Sequence, residues 1–147
     1  TGNGLLCAAP QTTLGSMVSR APDWLAQAVD DFAWAQETRN AGRFAQCCFV
    51  CQQVGEKAMK ALALAGGYTT VRGHSILDIC RALGIDDVVA QAAKRLDQFY
   101  ISARYPDAFP SGAPYEYFTE QQADEALGFA ETILDAVRAR MDAGGPA

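Results

Sequence analysis

The sequence has few of the groups on which most nucleic-acid-binding proteins and histidine-dependent enzymes rely. Of its 147 residues one is a histidine, and 12 lysines and arginines face 17 aspartates and glutamates, which gives a net charge of -5. This acidity argues against a surface that holds nucleic acid over its whole extent, because such binding needs many cations that displace counterions. No apolar stretch approaches the roughly 20 residues of a membrane-spanning helix, so we expect no membrane segment.

The five cysteines form a poor disulfide framework. Their number is odd, and Cys47, Cys48 and Cys51 are crowded together, so we expect free thiols in a reducing, cytoplasmic environment. Cys48 and Cys51 have the C-x-x-C spacing of redox and zinc sites, but the other ligand candidates, Cys47, Cys80 and His74, are scattered. We interpret the thiols as small buried apolar side chains rather than a thiol switch or a metal site, and we expect no cofactor.

Helical periodicity dominates the chain after an N-terminal arm. Residues 1–20 are rich in glycine, serine and threonine without a sustained period, and we leave their structure open. Apolar spacing then predicts helices at about 22–39, 43–65, 76–83, 86–101 and 119–142, and no segment shows the alternation of a strand. We therefore predict an all-α, mostly up-and-down bundle of about five helices over residues 21–143, followed by a short tail at 144–147.

Polar residues support several of these helices. Ser75 stands where it would cap the third helix, and Thr119 with Gln122 forms a capping box at the start of the last one. On the second helix Glu56 and Lys60 are four residues apart, in the order that favours an exposed ion pair. We accordingly place these two side chains on a polar, solvated face.

The segment 102–118 differs from the rest of the chain. It contains three prolines, one glycine and five aromatic residues, a composition that indicates an ordered loop. Long loops within a compact domain are commonly functional. The aromatic side chains have the chemistry to stack on nucleic-acid bases, but we favour the interpretation that they pack the loop onto the bundle or onto a second subunit.

The charges are unevenly distributed along the chain. From Lys57 to Arg104 there are seven cations and four anions, a net charge of +3, whereas the remaining residues carry -8. A local basic groove on an acidic protein is one interpretation, and charges scattered over solvated faces are the other. The candidate phosphate or nucleotide contacts are Lys57, Lys60, Arg72, Arg95, Tyr105 and Asp107.

His74 and Arg104 are the candidate catalytic residues. As the single histidine, His74 must carry any imidazole chemistry, as a general base or acid. The guanidinium of Arg104 has the geometry to hold a phosphate through two hydrogen bonds. Structural roles stay open for both: a cap or an interior hydrogen bond for His74, and a pair with Asp107 or capping of the preceding helix for Arg104.

Taken in order, three segments and a final amphipathic helix resemble the HEPN domain of prokaryotes and higher eukaryotes. The segments are FVCQQVGEKAMKALALAGG, GHSILDIC and LDQFYISARYPDAFP. The similarity extends from about residue 22 to 142. The matching positions are Gln52-Gln53, Glu56-Lys57, Lys60-Ala61, His74-Ser75, Leu77 and the stretch Tyr100–Asp107.

The resemblance implies a five-helix bundle that is commonly a homodimer and is associated with nucleotide or RNA binding. Many HEPN proteins are encoded beside a minimal nucleotidyltransferase and act in toxin–antitoxin or defence systems. Several branches are metal-independent ribonucleases with the signature Arg-x4–6-His. This chain departs from that signature, because no histidine follows Arg104 at that spacing and Arg72 lies too close to His74.

Three functions therefore stay open at the level of sequence. The first is a dimeric module that binds nucleotides, RNA or a nucleotidyltransferase partner through the basic middle and the Arg104 loop. The second is an RNA endonuclease in which His74 takes the proton of a ribose 2′-hydroxyl and Arg104 stabilises the developing phosphate charge. The third is a purely structural bundle that dimerises through its aromatic loop.

Overall fold

The computed structural model describes residues 4–8 and 19–144, and most of these are helical. The described helices are α1 (Ala21–Asn40), α2 (Phe44–Ala65), α3 (Ile76–Ala82), α4 (Val88–Asp97), the single turn α5 (Phe99–Ser102) and α6 (Glu120–Ala143). The predicted all-α bundle of about five helices is confirmed. The predicted helix at 86–101 is interrupted at Gln98, whose backbone nevertheless keeps helical angles (φ -61°, ψ -22°).

One short ribbon contradicts the expectation that no segment is a strand. Strand β1 (Leu6–Ala8) pairs antiparallel with β2 (Tyr68–Val71), and the backbone N–H of Arg72 donates to the carbonyl of Leu5 at 2.8 Å. Strands of three and four residues are too short to show alternation. Their pairing also joins distant parts of the sequence, which a local pattern does not report. Residues 1–3 and 9–18 of the predicted arm lie outside the described residues.

The helix ends follow local chemistry. The Ser75 hydroxyl accepts a hydrogen bond from the Asp78 N–H at 3.1 Å, so the predicted cap of α3 is confirmed. At α6, Thr119 Oγ1 accepts from the Gln122 N–H at 3.2 Å and Gln122 Oε1 accepts from the Thr119 N–H at 3.0 Å, which confirms the capping box. After α2 the chain reverses at Gly67, whose φ of +99° favours glycine.

Helix α2 is the centre of the bundle and packs against α1, α3, α4 and α6. At Gly55, α2 faces side chains of α3, α4 and α6. A Cβ atom at this position would lie 2.6 Å from Ile76 Cδ1, 3.2 Å from Ile133 Cδ1 and 3.3 Å from Leu96 Cδ1. Any larger residue at position 55 would therefore have to push these side-chain ends aside in a filled core.

The cysteines on and near α2 belong to this core. Cys47, Cys48, Cys51 and Cys80 are buried and unbridged, as the sequence predicts. Burial raises the pKa of the Cys48 thiol to about 12 and that of Cys80 to about 11. Such thiols carry little thiolate at neutral pH and act as apolar side chains. Among the described residues, none of the helices has both the length and the apolarity that crossing a bilayer requires.

Candidate functional site

Three polar side chains of α2, Gln52, Glu56 and Lys60, form a stripe at intervals of four residues. All three residues are buried, with 0%, 4% and 9% of the whole residue exposed. The predicted pair of Glu56 and Lys60 does form, at 3.2 Å, but its predicted exposure is wrong. The reason is tertiary: the connection that follows α2 brings His74 onto Glu56, and Trp24 of α1 covers Lys60, with its ring centroid 5.4 Å from Nζ.

His74 lies at the end of this stripe. Its Nδ1 is 3.1 Å from Oε1 of Glu56, and its ring stacks on that of Tyr100, with centroids 5.1 Å apart and planes 16° apart. With Glu56 ionised, the carboxylate accepts from Nδ1–H, which leaves Nε2 to accept or give up a proton. The imidazole is thus oriented by a buried carboxylate, while its side chain remains 61% exposed.

The backbone around His74 is held by Gln52, one of the positions on which the resemblance rests, and by Asp97, to which no sequence pattern pointed. Gln52 Nε2 donates to the His74 carbonyl at 2.8 Å and lies 3.3 Å from Asp97 Oδ1. The Asp97 carboxylate accepts from the Ser75 hydroxyl and from the first two backbone N–H groups of α3, each at 2.9 Å. A carboxylate at a helix N-terminus is favourable. Asp97 therefore fixes the start of α3 and, with Gln52, the position of His74.

Arg104 is held by aromatic rings instead of a carboxylate. Its guanidinium carbon lies 4.4 Å from the ring centroid of Phe49, 4.6 Å from that of Tyr100 and 4.8 Å from that of Tyr105. Its Nε donates to the Tyr100 carbonyl at 2.8 Å, so the capping alternative is the one observed. Among the described residues no carboxylate forms an ion pair with Arg104, which leaves its terminal N–H groups for another acceptor.

Both candidate catalytic residues, His74 and Arg104, contact the ring of Tyr100. The imidazole of His74 and the guanidinium of Arg104 each lie within about 5 Å of this ring, although 30 residues separate them in the sequence. We call the four side chains His74, Tyr100, Arg104 and Tyr105 the Tyr100 surface. It combines a cationic fork, an oriented imidazole and aromatic faces in one place.

The other predicted contacts are distributed over different parts of the molecule. Lys57 pairs with Asp31 of α1. Arg95 pairs with Glu125 at 3.2 Å and lies over the Phe129 ring at 5.0 Å, so its guanidinium faces α6. Arg72 follows β2, and Asp107 lies in a 3-10 turn beyond Tyr105. The structure thus places Tyr105 beside Arg104, but it does not gather all these residues into one basic groove.

The loop from Ala103 to Phe118 is built as the sequence predicts, from ordered turns and packed rings. It contains 3-10 turns at Pro106–Ala108 and Pro114–Glu116. Phe109 stacks on Tyr117 at 4.3 Å, and Phe118 meets Phe99 edge to face at 5.6 Å. Part of the loop therefore packs onto the chain's own bundle. Tyr105 and Tyr115 remain 48% and 68% exposed.

Comparison with known proteins gives a consistent result. The model of the HEPN domain matches residues 21–140. The crystal structure of TT1696 from Thermus thermophilus is 40% identical, with a TM-score of 0.77, and the match covers 84% of this chain and 99% of that one. ST0689, an archaeal HEPN homologue, is 39% identical, with a TM-score of 0.73 and coverage of 83% and 98%.

A third structure extends the comparison to lower identity. The HEPN domain protein tm0613 from Thermotoga maritima is 26% identical, with a TM-score of 0.63, and the match covers 82% of this chain and 98% of that one. No curated protein matches the chain at a significant level. In all three structural matches almost the whole of the relative is covered, so the common unit is the entire helical bundle.

Proposed function

The chain belongs to the HEPN domain family, and on that premise we propose that it is a nucleotide- or RNA-binding module whose ligand binds at the Tyr100 surface. The observation that carries the proposal is the meeting of His74 and Arg104 at a single aromatic ring. In this proposal the module is a homodimer, and its partner is a minimal nucleotidyltransferase of the kind beside which many HEPN proteins are encoded.

The chemistry of the Tyr100 surface suits one nucleotide unit. The terminal N–H groups of Arg104 donate to phosphate oxygens, which an arginine fork engages in pairs. The exposed faces of His74 and Tyr105 offer stacking to a base, a contact that tolerates any base because every base has a π-face. A local site of this kind is compatible with the acidic chain, since only one phosphate needs a cation.

A second function, RNA cleavage, is favoured by the hydrogen bond between Glu56 and His74. Because the buried carboxylate holds Nδ1, Nε2 is the nitrogen that takes the proton of a ribose 2′-hydroxyl. The 2′-oxygen then attacks the adjacent phosphorus and the bond to the 5′-oxygen breaks. The products are a 2′,3′-cyclic phosphate and a 5′-hydroxyl that takes its proton from solvent. Arg104 stabilises the charge that develops on phosphorus-bound oxygen.

The test compares wild type with Arg104→Ala and with the matched control Arg81→Ala, which changes an exposed arginine of α3. Binding of a fluorescent single-stranded RNA is measured by anisotropy, with nucleotides as competitors. We expect Arg104→Ala to weaken binding by about tenfold to a hundredfold, the value of a charge-assisted hydrogen bond, and Arg81→Ala to have no effect. Equal affinity of Arg104→Ala and wild type would overturn the proposal.

Salt dependence and cleavage then separate the alternatives. Binding through phosphate weakens as salt is raised, and an affinity that ignores salt would remove the phosphate contact. Cleavage by wild type that His74→Ala abolishes, with binding retained, supports the endonuclease. Intact binding with no cleavage by wild type supports the module alone. A dimer in sedimentation that binds neither nucleotide nor RNA would leave the purely structural bundle.

A further inference from the structure

A second concave site lies apart from the Tyr100 surface. A groove of about 520 Å³ opens between the start of α1, the end of α2 and strand β2. Its volume falls in the range of small-molecule sites, which is roughly 300 to 1,000 Å³. We call it the Trp24 groove; its main lining side chains are Arg20, Trp24, Lys60, Leu64, Tyr68 and Val71. It shares no residue with the Tyr100 surface, so a ligand there does not depend on the proposed function.

Lys60 is a polar group of the Trp24 groove that has N–H donors to spare. Its ammonium has three N–H donors, and Glu56 is the one carboxylate that pairs with it among the described residues, at 3.2 Å. The side chain is only 11% exposed. A hydrogen bond made to it from the groove would therefore form in a low-dielectric environment, where such bonds are stronger than in water.

The remaining lining decides the character of the ligand. Trp24 offers a flat ring with its centroid 5.4 Å from Lys60 Nζ, and Leu64 and Val71 add apolar surface. The other cation, Arg20, pairs with Asp23 at the surface, with side chains 73% and 64% exposed. Exposed pairs of this kind are weak, so Arg20 is available to a second acceptor. A long polyanion such as RNA does not suit so apolar a lining.

We propose that the Trp24 groove binds a small planar aromatic anion, with its ring against Trp24 and its carboxylate or phosphate on Lys60. The site is coupled to His74, because both oxygens of one buried carboxylate are engaged. Glu56 Oε2 faces Lys60 and Glu56 Oε1 faces His74 Nδ1. A ligand acceptor that draws the Lys60 ammonium toward the groove changes the hydrogen bonding of the Glu56 carboxylate, which also orients the imidazole of His74.

Two features of the sequence make binding in the groove measurable. The chain has two tryptophans, and Trp34 is 56% exposed on α1, so Trp34→Phe leaves Trp24 as the only indole fluorophore. In this background the probes are benzoate, phenyl phosphate and the uncharged benzyl alcohol. We expect saturable quenching by one or both anions with a Kd of about 1 mM or tighter, which is reasonable for ligands of this size.

The variants test which groups hold the probe. Lys60→Met is expected to weaken binding of the anion at least tenfold. The matched control Lys94→Met, which changes an exposed lysine of α4, is expected to leave it unchanged. No saturable quenching by either anion, or equal affinity in Lys60→Met, would overturn the proposal. If Lys60→Met does not fold, the test is the affinity of the three probes for the protein that keeps Lys60. Binding of uncharged benzyl alcohol as tightly as the anions would then overturn the proposal.

The single histidine reports the coupling. Because His74 is the only histidine, its ring Cε1–H gives one resonance in an NMR spectrum. Saturation of the groove should move that resonance in the wild-type protein and leave it in place in Glu56→Gln. A resonance that stays fixed at saturation would overturn the link through Glu56. Neither measurement involves RNA, so their failure is distinct from failure of the proposed function.

Discussion

Helix α2 buries two faces of opposite character. One face carries Cys47, Cys51 and Val54 with their apolar neighbours, and the other carries the stripe of Gln52, Glu56 and Lys60. The apolar face requires only close packing of side chains with complementary shapes, and five helices together supply that packing. The polar face needs partners with specific geometry, and these are the carbonyl and ring of His74 and the ring of Trp24. Burial on one side of α2 thus serves the core, whereas burial on the other side positions the candidate site.

The largest expected effect tests whether the apolar face is closed to reagents in solution. Cys7 is partly exposed, whereas the thiols of Cys48 and Cys80 combine burial with a pKa raised to about 12 and about 11. Cys51 has a raised pKa, and Cys47 a lowered one through its hydrogen bond with Cys51, but both are fully buried. We expect iodoacetamide at neutral pH to modify Cys7 first and the others about a thousandfold more slowly, through unfolding.

Mass spectrometry of timed samples checks this order of modification. Cys7→Ser should remove the fast phase and leave the slow one unchanged. A buried thiol modified as fast as Cys7 would show that the apolar face opens without unfolding.

The next effect addresses the polar face. Glu56→Ala leaves Lys60 nearly buried without its counter-ion, and we expect it to lower the free energy of unfolding by about 3 kcal/mol. Urea denaturation measures the loss. The double substitution Glu56→Leu with Lys60→Met removes both charges and should recover most of the stability. If the single and double variants are equally unstable, the stripe is held by its shape and not by its charges.

Glycine at the crossing of the helices gives a smaller effect. Gly55→Ala forces the Cδ1 atoms of Ile76 and Ile133 aside in a filled core, and we expect a net loss of about 1 kcal/mol despite the better helix propensity of alanine. The control is Gly128→Ala in α6, where no atom lies within 4 Å of the new Cβ; it should gain about 0.5–1 kcal/mol. Thermal unfolding of both variants distinguishes them. A stabilised Gly55→Ala would contradict the close approach.

The smallest expected effect concerns an exposed ion pair, which contrasts with the buried pair of Glu56 and Lys60. Arg39 of α1 pairs with Asp124 of α6 at 2.7 Å, and this hydrogen bond lowers the pKa of Asp124 from its ordinary 3.8. The pair therefore stabilises the fold above that pH and stops doing so as the pH falls through the lowered value. Arg39→Gln should be slightly less stable than wild type at neutral pH, and the difference should narrow in acid.

Denaturation of both proteins at several pH values checks the direction of this change. If the difference in free energy of unfolding between wild type and Arg39→Gln grew toward low pH, the pairing of Arg39 with Asp124 would be contradicted. A loss at neutral pH as large as that of Glu56→Ala would remove the distinction between exposed and buried polar contacts.

The parts of the fold that sequence predicts are those set by near neighbours. The apolar spacing in α1, α2 and α6 is local, and so are the caps at Ser75 and Thr119, so these elements were predicted well. The ribbon of β1 and β2 was missed, because two short strands acquire their identity only from each other. The sequence shows which chemical group each side chain carries, but it does not show which distant residues pack around that group.

The same division holds for the candidate site. His74 stands out as the only histidine and Arg104 as a guanidinium that can hold a phosphate, but their shared contact with Tyr100 is tertiary. The charged side chains of Glu56 and Lys60 predict exposure to solvent, although both residues are buried. Asp97 caps a helix that begins about 20 residues earlier, and no local pattern reports that. Ligand binding at these residues stays a prediction until it is measured.

The ribbon of β1 and β2 also has a mechanical consequence. Tension applied to the chain before Gly4 reaches β1 first, and it passes through the bond between Leu5 and Arg72 to the residues that enter His74. Tension applied after α6 meets a helix of 24 residues instead. Two ways of tethering the same molecule thus load different parts of it. A surface attachment through the N-terminal side pulls on the connection that leads to His74, and one through the C-terminal side pulls on the bundle.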